Sequence, residues 1–273
     1  MVIKVLCENI PVSGAFSGEH GLSLYIETGK HRILFDTGAT SLFLENAAKL
    51  NVDIKSVDTL IISHGHDDHG GGLRAFLQKN DKARIYIHKD AFLPHFSRRA
   101  DGLHDISLDK SLAGDSRIIY TDGHMVLDDE MFLFSDIKTS DFMPEAGRNL
   151  LANIDGEIKK DDFSHEQDLV VKSGGKTVLF TGCAHRGIVN ILNRFSELFG
   201  CPADAVVGGF HIASPSGTFC EEDALIQGIA NHMNRIPSRF YTCHCTGKVG
   251  FDKLSRYING DINYLHCGEE IEI

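Results

Sequence analysis

Two things are scarce in this sequence of 273 residues: long apolar runs and positive charge. No apolar stretch is long enough to cross a bilayer as a helix. Lysine and arginine number 27 against 38 aspartates and glutamates, which gives a formal net charge of −11. This balance argues against general binding to nucleic acid or to anionic membranes. We therefore expect a soluble protein whose partners include neither, and the sequence leaves its oligomeric state open.

The distribution of the cysteines predicts a reducing compartment. The seven cysteines are odd in number and scattered, and a chain of this length can bury a substantial core without disulfides. We therefore expect reduced thiols in a cytoplasmic protein. The first residues, Met1–Leu6, form a short apolar run that predicts a strand rather than a signal peptide.

The order of the apolar patterns predicts an α/β protein with a single domain, residues 1–273. Strand-like and helix-like segments alternate over the first 90 residues, and the alternation returns from Asp168. Between them, from about 94 to 167, the pattern is weaker and richer in turn residues. Such a stretch is often an insertion that covers an active site, and we interpret residues 94–167 as an insertion of this kind.

The densest cluster of polar side chains follows a buried strand. The apolar segment 57–62 leads directly into Ser63-His64-Gly65-His66-Asp67-Asp68-His69-Gly70. Imidazole and carboxylate groups are ligands of zinc, iron and manganese, and the glycines let the backbone turn tightly beside a bound ion. A solvated turn has no use for three imidazoles, so this segment predicts a metal site.

The spacing within the cluster predicts two neighbouring ions. His64 and His66 are two residues apart, so in an extended segment both point to the same side and can reach one ion. Asp68 and His69 follow after the chain turns and more easily serve a second ion. Two metals about 3.5–4 Å apart can share a bridging water and lower its pKa. We expect one or two Zn²⁺ ions, with iron or manganese as alternatives.

One short loop cannot complete two metal sites, so further ligands must come from elsewhere in the chain. Three later loops place a histidine after a predicted strand, where open α/β sheets have their ligand sites. They are Thr181-Gly182-Cys183-Ala184-His185, Gly208-Gly209-Phe210-His211 and Thr242-Cys243-His244-Cys245-Thr246-Gly247. In an extended segment the cysteines that flank His244 would point away from it, so we interpret Cys243 and Cys245 as packing thiols.

These segments resemble the metallo-β-lactamase superfamily. The run from His64 to His69 matches its His-x-His-x-Asp-His signature. The chain is more closely similar to one branch, whose members are labelled 7,8-dihydropterin-6-methyl-4-(β-D-ribofuranosyl)aminobenzene-5′-phosphate synthase, or dihydropteroate-synthase-like. The similarity spans residues 19–247. The motifs that carry it are Glu19-His20-Gly21-Leu22-Ser23-Leu24, Leu34-Phe35-Asp36-Thr37-Gly38, Ser63-His64-Gly65-His66, Glu166-Gln167-Asp168-Leu169, Thr181-Gly182-Cys183-Ala184-His185, Gly208-Gly209-Phe210-His211 and His244-Cys245-Thr246-Gly247.

The resemblance implies a fold and a set of metal ligands. The fold is an α/β, four-layer αββα sandwich. His64 and His66 would bind the first metal, and Asp68 and His69 the second. His244 lies where the last metal-binding histidine of the superfamily falls, and it would bind the second metal.

One position departs from the superfamily pattern. Where other members have a Thr-Gly-Asp stretch whose aspartate bridges both metals, this chain has Cys183, with His185 two residues further on. Either Cys183 ligates as a thiolate, or the bridge is lost and His185 binds instead. We expect His185 to be a ligand. His211 is either a further ligand or an acid–base group that faces the substrate.

Five other residues are candidates for roles around the metals. Asp36 is expected to orient a ligating histidine. Asp67 forms a hydrogen bond or acts as a catalytic base, unless it faces solvent. His20 precedes a core strand and would line the pocket, unless it is an ordinary loop histidine. Arg98 and Arg99 could clamp a phosphate through paired contacts, although an arginine pair is more often solvated.

The leading hypothesis is a metal-dependent hydrolase that acts on a small anionic, phosphorylated substrate. The alternative implied by the resemblance is a transferase, in which a pterin methyl group joins an aryl ribose phosphate and pyrophosphate leaves. A third class, a non-catalytic metal- or ligand-binding protein, is kept open by Cys183. A di-iron redox protein is disfavoured, because such sites typically have a glutamate in place of His66 and carry a flavin domain for which the chain has no room.

Overall fold

The computed structural model describes residues 1–214 and 217–273. The chain divides into two compact units. The first unit comprises Met1–Gly123, Asn149–Gln167 and His266–Ile273, and the second comprises His124–Arg148 and Asp168–Leu265. The assignment of residues 1–273 to a single domain stays a prediction.

The described residues form a mixed α/β protein, as the sequence predicts. The strands, in chain order, are β1 (Val2–Cys7), β2 (Ser23–Glu27), β3 (Arg32–Phe35), β4 (Thr59–Ile62), β5 (Arg84–His88), β6 (His95–Arg99), β7 (Gly102–Asp105), β8 (Ile118–Thr121), β9 (Met125–Val126), β10 (Met131–Phe134), β11 (Leu150–Ile154), β12 (Glu157–Lys160), β13 (Asp168–Ser173), β14 (Lys176–Thr181), β15 (Ala205–Gly208), β16 (Arg239–Thr242), β17 (Ile262–Tyr264) and β18 (Glu270–Glu272). The α-helices are α1 (Leu42–Lys49), α2 (Asp67–Gly70), α3 (Leu73–Lys79), α4 (Ile188–Phe199), α5 (Asp223–Met233) and α6 (Gly247–Leu254).

The first unit is built on a seven-stranded sheet in the order β18-β1-β2-β3-β4-β5-β8. Its last four strands are parallel. All four residues of β4, Thr59 to Ile62, are buried, as expected for a parallel strand that is covered on both faces. Because parallel strands end at the same edge of a sheet, the residues that follow β3 and β4 emerge side by side.

A smaller sheet of the first unit has the order β12-β11-β6-β7, and the sequence did not predict its strands. They are short, and β7 and β12 are largely exposed and polar, so they carry no clear alternation of apolar and polar residues. The segment interpreted as an insertion, 94–167, supplies this whole sheet and also β8, β9 and β10. Its role as a cover for the active site stays a prediction.

The second unit is built on a seven-stranded sheet in the order β17-β16-β15-β14-β13-β10-β9. The four strands from β14 to β17 are parallel, and in this register Thr181 is paired with Gly208 and Gly208 with Thr242. The loops after β14, β15 and β16 therefore leave the sheet at the same level. These are the three loops in which the sequence predicts ligands.

The helices pack apolar faces onto these sheets. Helix α4 agrees with the predicted span and buries Ile188, Ile191 and Phe195 in the core of the second unit. Gly200 follows the last helical residue, and its φ of 71° is typical of a helix C-terminus. Helix α6 begins at residue 247 rather than at the predicted 250, directly after the histidine loop. Within the described residues, no helix has the length and apolar character needed to span a membrane.

Candidate functional site

A buried carboxylate organises the loop that follows β4. Asp36 comes directly after β3 and has a φ of 63°, a left-handed backbone that few residues other than glycine adopt. Its carboxylate accepts hydrogen bonds from the backbone N–H and the hydroxyl of Ser63, both at 2.7 Å. The same carboxylate lies 2.7 Å from Nδ1 of His69. All three residues are fully buried, so these contacts are shielded from competing water.

This network fixes the protonation of two predicted ligands. Nδ1 of His69 donates its proton to Asp36, so the lone pair of that imidazole resides on Nε2. The hydroxyl of Ser63 donates to Asp36 and therefore accepts from Nδ1 of His64, 2.9 Å away. The lone pair of His64 thus also resides on Nε2. A histidine that binds a metal commonly donates its other N–H to an acceptor of this kind, so both side chains have the protonation that a metal requires.

The predicted ligands of this loop lie together in the first unit. The ring of His64 is 4.6 Å from the ring of His66 and 4.1 Å from that of His69, measured between centroids. An oxygen of Asp68 lies 3.8 Å from Nε2 of His69 and 3.2 Å from Nε2 of His20. His20, a candidate from the sequence, is therefore placed beside one of the predicted ligands.

A second buried carboxylate, Asp161, was missed by the sequence analysis. Its Oδ2 atom lies 3.1 Å from Nε2 of His165, 3.2 Å from Nδ1 of His95 and 3.6 Å from Nε2 of His66. Nδ1 of His165 accepts the backbone N–H of Gly65 at 2.9 Å. The contacts from Gly65 to His165, from His165 to Asp161 and from Asp161 to His66 thus connect the loop after β4 to a segment about 100 residues further along.

The protonation of Asp161 and His165 indicates that they position the loop and do not bind a metal themselves. Burial opposes ionisation of Asp161, but hydrogen bonds from the surrounding histidines outweigh it and lower the pKa of that carboxyl. Burial lowers the pKa of His165 to about 4, so this side chain is neutral at pH 7. Its Nδ1 accepts a proton and its Nε2 donates one, which leaves no lone pair for a metal. Nε2 of His66 faces Asp161 across 3.6 Å, so we expect Nδ1 to be the atom of His66 that binds a metal.

The sequence contained a signal for this network. The segment Asp161-Asp162-Phe163-Ser164-His165 places carboxyl and imidazole groups directly before the Glu166-Gln167-Asp168 motif. The side chain of Gln167 donates to the carbonyls of Ile62 and Tyr86 and accepts from the hydroxyl of Thr121. It therefore joins the ends of β4, β5 and β8, and the motif has a structural role.

The remaining candidates of the first unit lie around the loop. Burial and the adjacent Asp68 raise the pKa of Asp67 to about 6, a range suited to a general base. Arg98 and Arg99 are exposed and consecutive in β6, so their side chains point to opposite faces. The positive charge of Arg99 favours the ionised form of Asp67 and so opposes the rise of its pKa. The roles assigned to Asp67 and to the two arginines stay predictions.

The second unit gathers the other candidates at the ends of its parallel strands. Cys183, His185, His211 and His244 are all buried or at the edge of burial. The rings of His185 and His211 lie 4.1 Å apart between centroids. The sequence-based interpretation of Cys245 as a packing thiol that points away from His244 stays a prediction, but its sulfur lies within 4.8 Å of the sulfur of Cys183 and of a ring nitrogen of His211. The chain leaves the extended conformation at residue 244, where φ is 51° and a 3₁₀ turn begins.

Two threonines hold the histidine loop of the second unit against its neighbour. The hydroxyl of Thr246 accepts the backbone N–H of Phe210 at 2.9 Å. The hydroxyl of Thr242 donates to the carbonyl of Gly208 and contacts that of Thr246. These bonds explain the His-Cys-Thr-Gly motif, because the threonine fixes the loops that present His211 and His244.

The structure thus clusters each group of predicted ligands within its own unit. His64, His66, Asp68 and His69 lie in the first unit, and Cys183, His185, His211 and His244 lie in the second. That both groups serve one metal centre stays a prediction.

Comparison with known proteins identifies the family. Residues 17–217 match the family model described as the metallo-beta-lactamase superfamily. The chain is 29% identical over its whole length to an uncharacterised protein of Methanocaldococcus jannaschii, which it also covers completely. It is 27% identical to the 7,8-dihydropterin-6-methyl-4-(beta-D-ribofuranosyl)-aminobenzene-5′-phosphate synthase of the same organism, with 94% of this chain and 91% of the relative aligned.

A solved structure agrees with the sequence relatives. Tm1679, described as a metal-dependent hydrolase of the beta-lactamase superfamily, is 31% identical to this chain. It superposes with a TM-score of 0.82, covering 100% of this chain and 99% of the other. The fold and the resemblance predicted from the sequence are confirmed. This chain belongs to the metallo-β-lactamase superfamily.

Proposed function

We propose that this protein is a metal-dependent hydrolase that uses a pair of divalent ions, most readily Zn²⁺, on a small phosphorylated substrate. The observation that carries the proposal is the buried network of Asp36 and Ser63, which sets the protonation of His64 and His69. A fold stabilised by hydrogen bonds alone has no need to orient two adjacent imidazoles in this way. The proposed ligands are His64, His66, Asp68, His69, His185 and His244, with Cys183 and His211 as further candidates.

The donors of the first unit fit a borderline divalent ion. Three buried imidazoles and the carboxylate of Asp68 match the nitrogen and oxygen ligands of zinc, iron and manganese. The carboxylates of Asp36 and Asp161 face the imidazoles of His69 and His66, as the partners of metal-bound histidines commonly do.

The seven free cysteines also support a cytoplasmic location.

When bound, a metal pair supplies a water of lowered pKa and stabilises charge on phosphate oxygens. The surrounding residues have distinct tasks in such a reaction. Asp67, with its raised pKa, would accept a proton near neutral pH. His20 holds the carboxylate of Asp68, 3.2 Å away. Arg98 or Arg99 would bind the phosphate of the substrate.

A second function is favoured by one observation, the name of the synthase relative. That protein is named for a product that carries a ribose phosphate and a pterin. A transferase of this kind would also need metals and an anionic substrate, but carbon rather than water would attack. The two functions therefore differ in whether a single phosphorylated compound is consumed or two substrates are joined.

The experiment that tests the proposal compares two histidine variants of the purified full-length protein. We expect metal analysis to find up to two equivalents of Zn, Fe or Mn, and His66→Ala to lose metal and activity together. His104→Ala, which alters a half-buried histidine paired with Asp101, is the matched control and should keep both. Activity is screened with phosphomonoesters, phosphodiesters, and pterins paired with aryl ribose phosphates. Full activity of metal-free His66→Ala would refute the proposal, and turnover of the paired substrates alone would establish the transferase.

A further inference from the structure

The ends of β14, β15 and β16 bring two thiols and an imidazole together in the second unit. Cys183 follows the end of β14 by two residues, and His211 and Cys245 follow the ends of β15 and β16 by three. Because the three strands are parallel and in register, these positions emerge at the same level of the sheet. Their two sulfurs and one ring nitrogen all lie within 4.8 Å of one another.

The three side chains are largely buried, and the hydrogen bonding of the imidazole is incomplete. Cys183 is 2% exposed, Cys245 4% and His211 9%. In the described part of the chain, neither ring nitrogen of His211 makes a hydrogen bond of acceptable geometry, although both are buried. A buried imidazole without such partners is costly. A ligand between it and the two sulfurs would remove that cost.

The backbone around these side chains is strained in a way that favours function over packing. Ala184, His211 and His244 have φ values of 56°, 48° and 51°, which non-glycine residues rarely adopt. Such outliers cluster at functional sites, where the surrounding structure holds them in place. Gly209 adds a further constraint, since a Cβ atom there would lie 2.4 Å from the sulfur of Cys245. A side chain at position 209 would therefore displace the thiol of Cys245.

We propose that Cys183, His211 and Cys245 bind a thiophilic divalent ion, of the Zn²⁺ or Fe²⁺ class, through two thiolates and one imidazole. Tetrahedral bonding to zinc places sulfur and nitrogen ligands about 3.5–3.8 Å apart, so the observed cluster needs only a small contraction. On binding, two thiols lose their protons to solvent and two metal–sulfur bonds form. The product of one dication and two thiolates is neutral, which suits a buried position. Three protein ligands leave a fourth position open for water or substrate.

The inference deepens the proposed function, because it adds Cys245 to the metal chemistry and gives the site a sulfur-rich character. It rests on the proposed function only in requiring a chain that binds metal. Its ligands all lie in the second unit, so it can be tested by a signal specific to sulfur.

The test replaces the metal of the full-length protein with Co²⁺ and records the absorption spectrum. Bonds between Co²⁺ and thiolate absorb strongly in the near ultraviolet, whereas nitrogen and oxygen ligands give only weak visible bands. We expect the wild type to show the thiolate band and Cys245→Ser to lose about half of it, because one of two thiolates is gone. Cys183→Ser should also lose about half of the band, and it replaces Cys245→Ser in the test if that variant does not fold. Cys243→Ser, which removes the neighbouring buried thiol, is the matched control and should keep the full band.

The possible results separate this inference from the proposed function. Thiols are counted first in the unfolded, metal-free protein, which has seven cysteines, and a disulfide between Cys183 and Cys245 would overturn the inference. Visible Co²⁺ bands without the thiolate band would overturn the inference alone. A thiolate band that Cys245→Ser and Cys183→Ser leave intact would do the same. A protein that takes up no Co²⁺ would overturn both. A thiolate band that persists in His66→Ala would support the inference and show that the sulfur ligands act independently of the first unit.

Discussion

Replacing Asp36 by asparagine tests whether the fold sets the protonation of the metal-binding histidines. Each oxygen of Asp36 accepts at least one proton: one accepts from the Ser63 N–H, and the other faces both the Ser63 hydroxyl and Nδ1 of His69. An amide has one NH₂ group, which must face one of these donors. The backbone N–H of Ser63 cannot turn away, so the NH₂ group is expected on the side of His69.

The rest of the network then rearranges in a defined way. The imidazole of His69 must shift its proton from Nδ1 to Nε2 so that Nδ1 can accept from the amide. The Ser63 hydroxyl, which in the Asp36→Asn variant accepts from the new amide group, turns its proton towards Nδ1 of His64. Both imidazoles then carry a proton on Nε2, where a metal would need a lone pair.

The expected loss can be estimated from this change of tautomer. Removing an outer partner of a metal-bound histidine typically lowers metal affinity about 10- to 100-fold, which corresponds to about 1.4–2.7 kcal/mol. We expect a loss in this range for Asp36→Asn, measured by competition with a chromophoric chelator. Nitrogen NMR of the histidine rings in the metal-free protein should show the proton of His69 on Nε2 in the variant and on Nδ1 in the wild type.

A surface aspartate of the same unit provides the control. Asp53 accepts the backbone N–H of Lys55 at the start of a 3₁₀ turn, and an asparagine can accept the same bond. Asp53→Asn should therefore leave metal affinity unchanged within error. If Asp36→Asn also binds zinc as tightly as the wild type, the reasoning about tautomers is refuted.

Two further predictions concern the first unit. Asp161→Asn should lower metal affinity about 10- to 100-fold, because the carboxylate orients His66. The control Asp162→Asn changes the exposed neighbour and should keep the affinity of the wild type. Equal affinities of the two variants in a chelator competition would contradict the prediction. Burial and the adjacent Glu27 raise the pKa of Tyr25 from its ordinary value of 10.0 to about 12. The folded state thus holds this proton more tightly, so its contribution to stability is complete below pH 10 and is lost as the pH rises to 12. Denaturant unfolding at several pH values should show this loss in the wild type and not in Tyr25→Phe.

The elements predicted from the sequence are those in which local pattern and tertiary environment agree. Strands such as β4 and β14 are continuous apolar runs bounded by glycine or polar residues, and helix α4 has its apolar residues on one face. The strands β7 and β12 could not be predicted in this way. Their residues are largely exposed and show no clear apolar alternation, and only pairing with neighbouring strands makes them part of a sheet.

The sequence by itself determined the fold class and the candidate metal-binding loop, because the proposed ligands from His64 to His69 lie within six residues of one another and follow a strand that the apolar pattern reveals. Only the tertiary structure decided which groups support them. Asp161 and His165 reach the loop from about 100 residues away, and no local pattern encodes that approach. Cys245 turns towards Cys183 because the chain leaves the extended conformation at His244, and the direction of a side chain after such a turn depends on backbone angles that the packing of three neighbouring strands sets.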